Sequence, residues 1–345
     1  MMLVLGVAAV FLASAPVARW SSAVPIEADE IAYSDQGVVV RPTGEILPVV
    51  IPWYDVRSVP DSWAGDAAAY QDISQLARDA RQRRQRGDIR GAAKLYTQLD
   101  QKLTGVRGEQ AFDIAIGLLE YNLLGEDHAA AVLPWLRVLR AAGTGRQYQG
   151  PLLDERTSLH PALIPLFLNN SGQNLVPNGE FSPREQLLLE YYQIAIAHDE
   201  AEDIDSRLDE LEQRIRKLGD RDAGLLLVHE IVSATRASDP AKRLAAREQL
   251  DRTARSADVG WMIDWSKLAI GASLISEDDE NQRERGVVAC IGVVVDPEDG
   301  TPNSIRELAA SFAAKYLDST NRSQYANIIT MTALMGNQPA TGATP

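Results

Sequence analysis

At 345 residues the chain exceeds the usual size of one compact domain, so two units or one extended repeat array are the natural options. Its 34 basic against 48 acidic residues give a formal charge of −14, which repels phosphate backbones and anionic headgroups and argues against nucleic acid as a partner. Apolar residues at 45% are ordinary for a folded chain, whereas aromatics at 6% with recurring Ala and Leu suit helices packed on helices better than a β-sandwich.

The N-terminus reads as a targeting segment. Leu3 to Ala18 is almost wholly apolar and is followed by Arg19 and Trp20. The run falls short of the ~20 residues of a comfortable membrane span and matches the core of a secretory signal. Small residues offer cleavage points after Ala15, Ala18 or Ala23. Residues 1–23 are therefore expected to be a signal peptide or an uncleaved anchor, which places the chain in the periplasm or cell envelope. No later run is long and apolar enough to cross a bilayer, so membrane contact is expected only through this segment.

Residues 24–60 alternate β-branched stretches with turn signals at Ser34–Gly37 and Pro42–Gly44. Strands are expected near Glu30–Tyr33, Val38–Arg41, Ile46–Ile51 and Val56–Val59. Short hairpins alone are marginal in water, so this small β-rich segment should pack on the helical body or on a partner. Trp53 and Tyr54 are the candidate partner-binding residues, because each joins a large apolar area to a polar tip. The competing role for Trp53 is to anchor the segment on the first helix.

From residue 61 to 142, and again from 182 to 335, apolar positions fall at three- and four-residue steps. Turn signals recur at Gly87-Asp88, Gly125–Asp127, His198-Asp199, Ser238-Asp239, Asp278-Asp279 and Asp318-Ser319. They step at about 40 residues, except for the long interval from Asp127 to Asp199, and such a period is a signature of stacked helical hairpins. Helix starts are marked by capping boxes at Ser182–Glu185 and Ser304–Glu307 and by Asp239-Pro240. Residues 143–181 interrupt the array, either as an ordered insertion or as an irregular crossing. The tail 336–345 is polar and expected to be disordered.

Two turns carry a family resemblance. In the first, Gly87 and Asp88 are followed by Ala92 and Tyr96; in the second, Gly125 and Asp127 are followed by Ala130, Ala131 and Trp135. A small residue early in the second helix, with a large one a turn later, resembles the tetratricopeptide repeat. The resemblance implies a mainly α fold: an α-solenoid of about six helical hairpins, with long grooves suited to protein or peptide partners.

Motifs for chemistry are missing. His128, His160, His198 and His229 show no metal-ligand spacing, and His229-Glu230 lacks the second histidine of a zinc-protease helix. The stretch Asp296–Glu307 has the length of a calcium loop, but its glycine falls one place early. The acidic run His198–Asp205 suits a helix start, and Arg86-Gly87-Asp88 suits a tight turn. Cys290, the single cysteine, lies in an apolar run and is expected to be a small core residue. No metal, no cofactor and no catalytic residue is expected. The expected function is a non-enzymatic scaffold for a protein or peptide; the alternative is an enzyme whose carboxylates converge from distant repeats.

Overall fold

The computed structural model describes residues 16–60, 65–103, 107–142, 159–168, 175, 181–196, 203–218 and 222–335. The apolar stretch 3–15, the His198-Asp199 break, most of the 143–181 interruption and the tail 336–345 lie outside the described residues. The chain is mainly helical with a small N-terminal β segment, and it divides into two compact units, residues 1–149 and 150–345.

In the first unit, β2 (Ala28–Ser34), β3 (Gly37–Pro42) and β4 (Val49–Ile51) form an antiparallel sheet in the order β2-β3-β4. β1 (Ala18–Arg19) pairs with β5 (Val56–Ser58), and Val17 exchanges backbone hydrogen bonds with Ile26. The third expected strand is shorter than Ile46–Ile51, because Pro48 brings no N–H to a ladder and the chain before it stays irregular. The β1 strand was not anticipated, since its residues had been assigned to the targeting segment. Gly37 is required where it stands: its φ is 141°, and an added Cβ would lie 2.0 Å from the Ile51 carbonyl oxygen.

Four helices complete this unit: α1 (Gln71–Gln85), α2 (Ile89–Lys102), α3 (Glu109–Leu124) and α4 (His128–Ala142), each packed on the next. The Arg-Gly-Asp tripeptide is the tight turn between α1 and α2, with Gly87 at φ 82° and the Asp88 carboxylate capping α2 through Gly91 N–H at 2.9 Å. Tyr96 is fully buried against α3 at Gly117, where an added Cβ would come within 2.1 Å of its ring. Its hydroxyl donates to Asp113, which also accepts from Arg81 and Arg84, so one buried carboxylate ties α3 to α1 and α2.

The second unit holds α5 (Pro183–Ile196), α6 (Ile204–Lys217), α7 (Ala223–Arg236), α8 (Pro240–Ser256), α9 (Gly260–Ile275), α10 (Glu280–Val295), α11 (Asn303–Ser319) and α12 (Ser323–Met335). Successive helices pack together, and α5, α7, α9 and α11 also touch in series. The expected breaks at Ser238-Asp239 and Asp278-Asp279 separate α7 from α8 and α9 from α10, with Asp239 and Asp279 capping the second helix of each pair. The α9 and α10 backbones meet at Gly271 and Gly286, where a Cβ on Gly271 would lie 2.9 Å from the Gly286 carbonyl oxygen. Cys290 sits in this contact, fully buried, and burial pushes its thiol up to about 12.

Ser182 and Glu185 form the expected capping box, each side chain bonded to the other's backbone N–H. Ser304 does not. α11 starts earlier, after Pro302, so Ser304 lies inside the helix and its hydroxyl donates to the Pro161 carbonyl at 3.1 Å. That carbonyl belongs to a short 3-10 turn, Pro161–Phe167, within the described part of the interruption. Phe167 stacks on Tyr192 with centroids 4.2 Å apart and leans on Trp265, so this turn is core. The former calcium-loop candidate is the α10–α11 connection, held where buried Asp264 accepts from Glu298 N–H and the Thr301 hydroxyl.

Candidate peptide-binding groove

The sequence keeps the chain around Trp53 rigid. Residues Trp53–Asp55 form one 3-10 turn after Pro52. The Trp53 ring stacks on Tyr70 at 4.6 Å and its indole N–H donates to the Ser34 carbonyl. Ser74 on α1 donates to the carbonyls of both Trp53 and Val56. Trp53 is thus fully buried and anchors the β segment on the first helix, so it offers no surface of its own. Tyr54 is also largely buried, but one edge lines a groove; its hydroxyl donates to Glu109 at 2.7 Å and the Arg81 guanidinium lies 4.0 Å from its ring centre.

This groove, of about 630 Å³, is open to solvent. Its lining includes Val49 and Val50 of β4, Arg19 and Trp20 of the N-terminal stretch, and Arg78 and Arg81 of α1. The Trp20–Ser21 stretch is fixed by pairing across the chain. Trp20 N–H donates to the Asp55 carbonyl, and Ser21 donates both its N–H (2.7 Å) and its hydroxyl (2.6 Å) to the Asp55 carboxylate.

Two properties define what this surface can do. First, β4 ends its sheet: one side pairs with β3, and the other makes no backbone pairing among the described residues. Val49 and Val50 are 48% and 47% exposed, and Ile46 and Leu47 just before them are more exposed still. An apolar strand edge of this kind is a template for another strand. Second, arginines gather here. The Arg78 guanidinium lies 3.1 Å from the centre of the Trp20 ring and that of Arg57 lies 5.3 Å from it. With the Gln82 amide turned so that its oxygen faces Arg78, it accepts from Nε at 2.9 Å and Nη2 at 3.2 Å. Arg78 Nη1 and Arg19 Nε remain buried with no acceptor.

A second, smaller cleft of about 260 Å³ lies in the other unit between α6, α7 and α8. His229 there is held by the Tyr191 hydroxyl, 2.9 Å from Nδ1, while the Ser233 hydroxyl stands 3.5 Å from Nε2, too far for an effective bond. Burial lowers the His229 pKa, disfavouring the charged ring. Burial, reinforced by Glu212, pushes Glu230 up to about 7, against the pull of Arg252. Lys242 at the same cleft is bound to Asp209 at 2.7 Å. Among the described residues no group of His, Cys, Asp and Glu is arranged to hold a metal ion. No family model matches this chain, and neither does any curated protein or solved structure.

The groove combines residues that sequence reasoning had placed apart. Tyr54 was among the candidates. Arg19 and Trp20 had been read as flanks of the targeting segment, and Arg78 as one charge on an ordinary helix. The signal that could have found them is the charge excess of Arg78, Arg81, Arg83 and Arg84 on α1 in an acidic chain.

Proposed function

We propose that this chain is a non-enzymatic binding scaffold of the cell envelope, which takes an extended segment of a protein or peptide as an added strand on β4. The observation that carries this reading is that β4, an exposed apolar strand at the end of its sheet, has no second pairing partner among the described residues and contributes Val49 and Val50 to the groove lining. Strand addition draws affinity from main-chain hydrogen bonds and specificity from pockets for alternate side chains. On this reading the helical hairpins are the tetratricopeptide-like repeats of an α-solenoid that presents such a surface, and the packing of successive helices within each unit supports it. The apolar segment before Ala18 supports export to the envelope.

The alternative is an enzyme with carboxylates gathered from separate helices. Glu230 and Glu212 in the α6–α8 cleft are its best candidates, and the raised Glu230 is the observation in its favour. Arg252 and Lys242 line the same cleft, and a catalytic carboxyl there would compete with their charges. Binding is the better account.

The test pans full-length chain in mild detergent against a displayed library of random dodecamers. A recovered peptide is then remade with N-methyl groups on alternate residues. Strand addition expects loss of binding for one set of alternate positions and near-full binding for the other. Equal tolerance of both sets would refute it.

A further inference from the structure

We infer that the outward face of α12 is a self-association surface, through which two copies of this chain pair antiparallel about a twofold axis. The face lies in the second unit, and its pairing is independent of strand addition at β4. The 13 residues of α12 hold no Asp, Glu, Lys or Arg, whereas every other described α-helix holds at least one. Ala326, Ile329 and Ala333 are buried, and the helix packs on α11 and α10. Tyr325, Ile328, Met331, Leu334 and Met335 are each between 52% and 67% exposed. No other described α-helix carries more than two exposed large apolar side chains.

Charge decides what covers this face. A bilayer is a poor match, because helices that lie on anionic membranes flank their apolar face with Lys or Arg, which α12 lacks. A second copy matches better. Each copy carries a formal −14, so two copies repel over most of their surface and close where charge is absent. α12 is such a place, and burying it strips water from no charge. Its five exposed side chains present on the order of 500 Å² of apolar surface per copy. A stable pair buries about 800 Å² per partner, most apolar at its centre. The α12 stripe supplies that centre. The adjoining groove of about 590 Å³ between α11 and α12 supplies the rim, with Ser311, Lys315 and Asp318 along its α11 side.

The spacing of the stripe sets the direction of pairing. Tyr325, Ile328, Met331 and Met335 step by three, three and four, so they lie along one face of the helix. Reversing the helix maps that stripe nearly onto itself, as an isologous contact requires. In the antiparallel pair Tyr325 of one copy lies opposite Met335 of the other, and Ile328 lies opposite Met331. The first of these sets an aromatic ring against a thioether, a favourable contact. Antiparallel helices also place the positive end of each dipole beside the negative end of the other.

The experiment is sedimentation velocity of full-length chain in mild detergent, loaded from about 1 to 100 μM. The parent is expected to pass from monomer to dimer over this range. Ile328→Glu combined with Met331→Glu is expected to weaken the dimer roughly a hundredfold, because both charges are buried at the contact. Both positions are exposed in the single chain, so the variant keeps its fold, which circular dichroism checks. Ile328→Lys and Met331→Glu, each impaired alone, are expected to dimerise again when mixed, since one Lys then meets one Glu across the axis. A parent that stays monomeric, or a dimer that the double variant leaves intact, overturns self-association through α12. Failure of the mixture to recover overturns the antiparallel register, and species that keep growing with concentration overturn the closed pair. A monomeric parent that binds phosphatidylcholine–phosphatidylglycerol vesicles, and loses them with the double variant, assigns the face to a bilayer. A monomeric parent without such binding leaves the face to a different protein, and either result overturns the twofold pair.

Discussion

Asp113 offers the most direct test of how the first unit is held together. Its side chain is 2% exposed and accepts from Arg81 at 3.0 Å, Arg84 at 2.9 Å and the Tyr96 hydroxyl at 2.9 Å. Burial works against the Arg84 cation, and the carboxylates of Asp113 and Glu120 outweigh it. Replacing Asp113→Asn keeps the shape but removes the charge that two helix-borne guanidinium groups share. Breaking a buried ion pair from one side costs roughly 3–5 kcal/mol. Here Arg81 and Arg84 are 26% and 24% exposed, and Arg84 keeps Glu120 at 2.9 Å, which places the cost at the low end. We expect about 3 kcal/mol, or on the order of a hundredfold loss of amide protection across α1 to α3. Tyr96→Phe alone should cost about 1 kcal/mol, and the double variant less than the sum, because both act through one carboxylate. Native-state hydrogen exchange reads this directly, with α9 and α10 amides as the internal control. A loss under about 1 kcal/mol, or an equal loss in α9 and α10, would refute the reasoning.

Three further outcomes are expected. Gly271→Ala should destabilise by about 1–3 kcal/mol, because its Cβ would sit 2.7 Å from Cys290 Sγ and 2.9 Å from the Gly286 carbonyl oxygen; Gly292→Ala meets nothing within 4 Å and should gain up to about 1 kcal/mol. Thermal melts of the two variants should shift in opposite directions, and a shared direction would mean that close α9–α10 approach is not limiting. Glu230 is raised in the folded chain, so its contribution to stability is full below its ordinary 4.5 and is lost as pH rises through about 7. Urea denaturation of Glu230→Gln against the parent should show a gain for the variant near pH 8, at most about 3 kcal/mol, that vanishes near pH 4. Buried His229 acts in the opposite sense, losing stability as pH falls, and is common to both proteins. Finally, a chain beginning at Val24 should lose about 2–4 kcal/mol in α1 to α3 relative to one beginning at Pro16, because fully buried Val17 and the β1–β5 pairing go with it. Equal exchange rates for the two would show that residues 16–23 contribute nothing.

Much of the architecture was legible in the sequence because its signals are local. A three- and four-residue apolar rhythm, broken near Asp88, Asp127, Asp239 and Asp279, specifies helix pairs whatever their surroundings, since a capping carboxylate needs only the next turn's N–H groups. The strands near Val38 and Val56 were equally clear from alternation and bounding turns. Ser304 marks where this fails: a capping box is a four-residue pattern, whereas the Ser304 hydroxyl, inside α11, bonds to the Pro161 carbonyl far off in the chain.

The groove is of the second kind. Val17 and Ala18 are apolar in the way both a secretion signal and a buried strand require, and only pairing with Ile26 and Ser58 assigns them to the sheet. Trp53 and Tyr54 are adjacent and chemically alike, yet stacking on Tyr70 buries the first while the second keeps an edge on the groove. Arg78 reads as a solvated helix charge until Trp20, many residues earlier, is laid on it. The sequence by itself determined the helices, the hairpin breaks and the acidic balance, because those depend on neighbours a turn away. Which arginines go unpaired and which strand edge stays open depend on contacts between distant segments, and only the tertiary structure decided them.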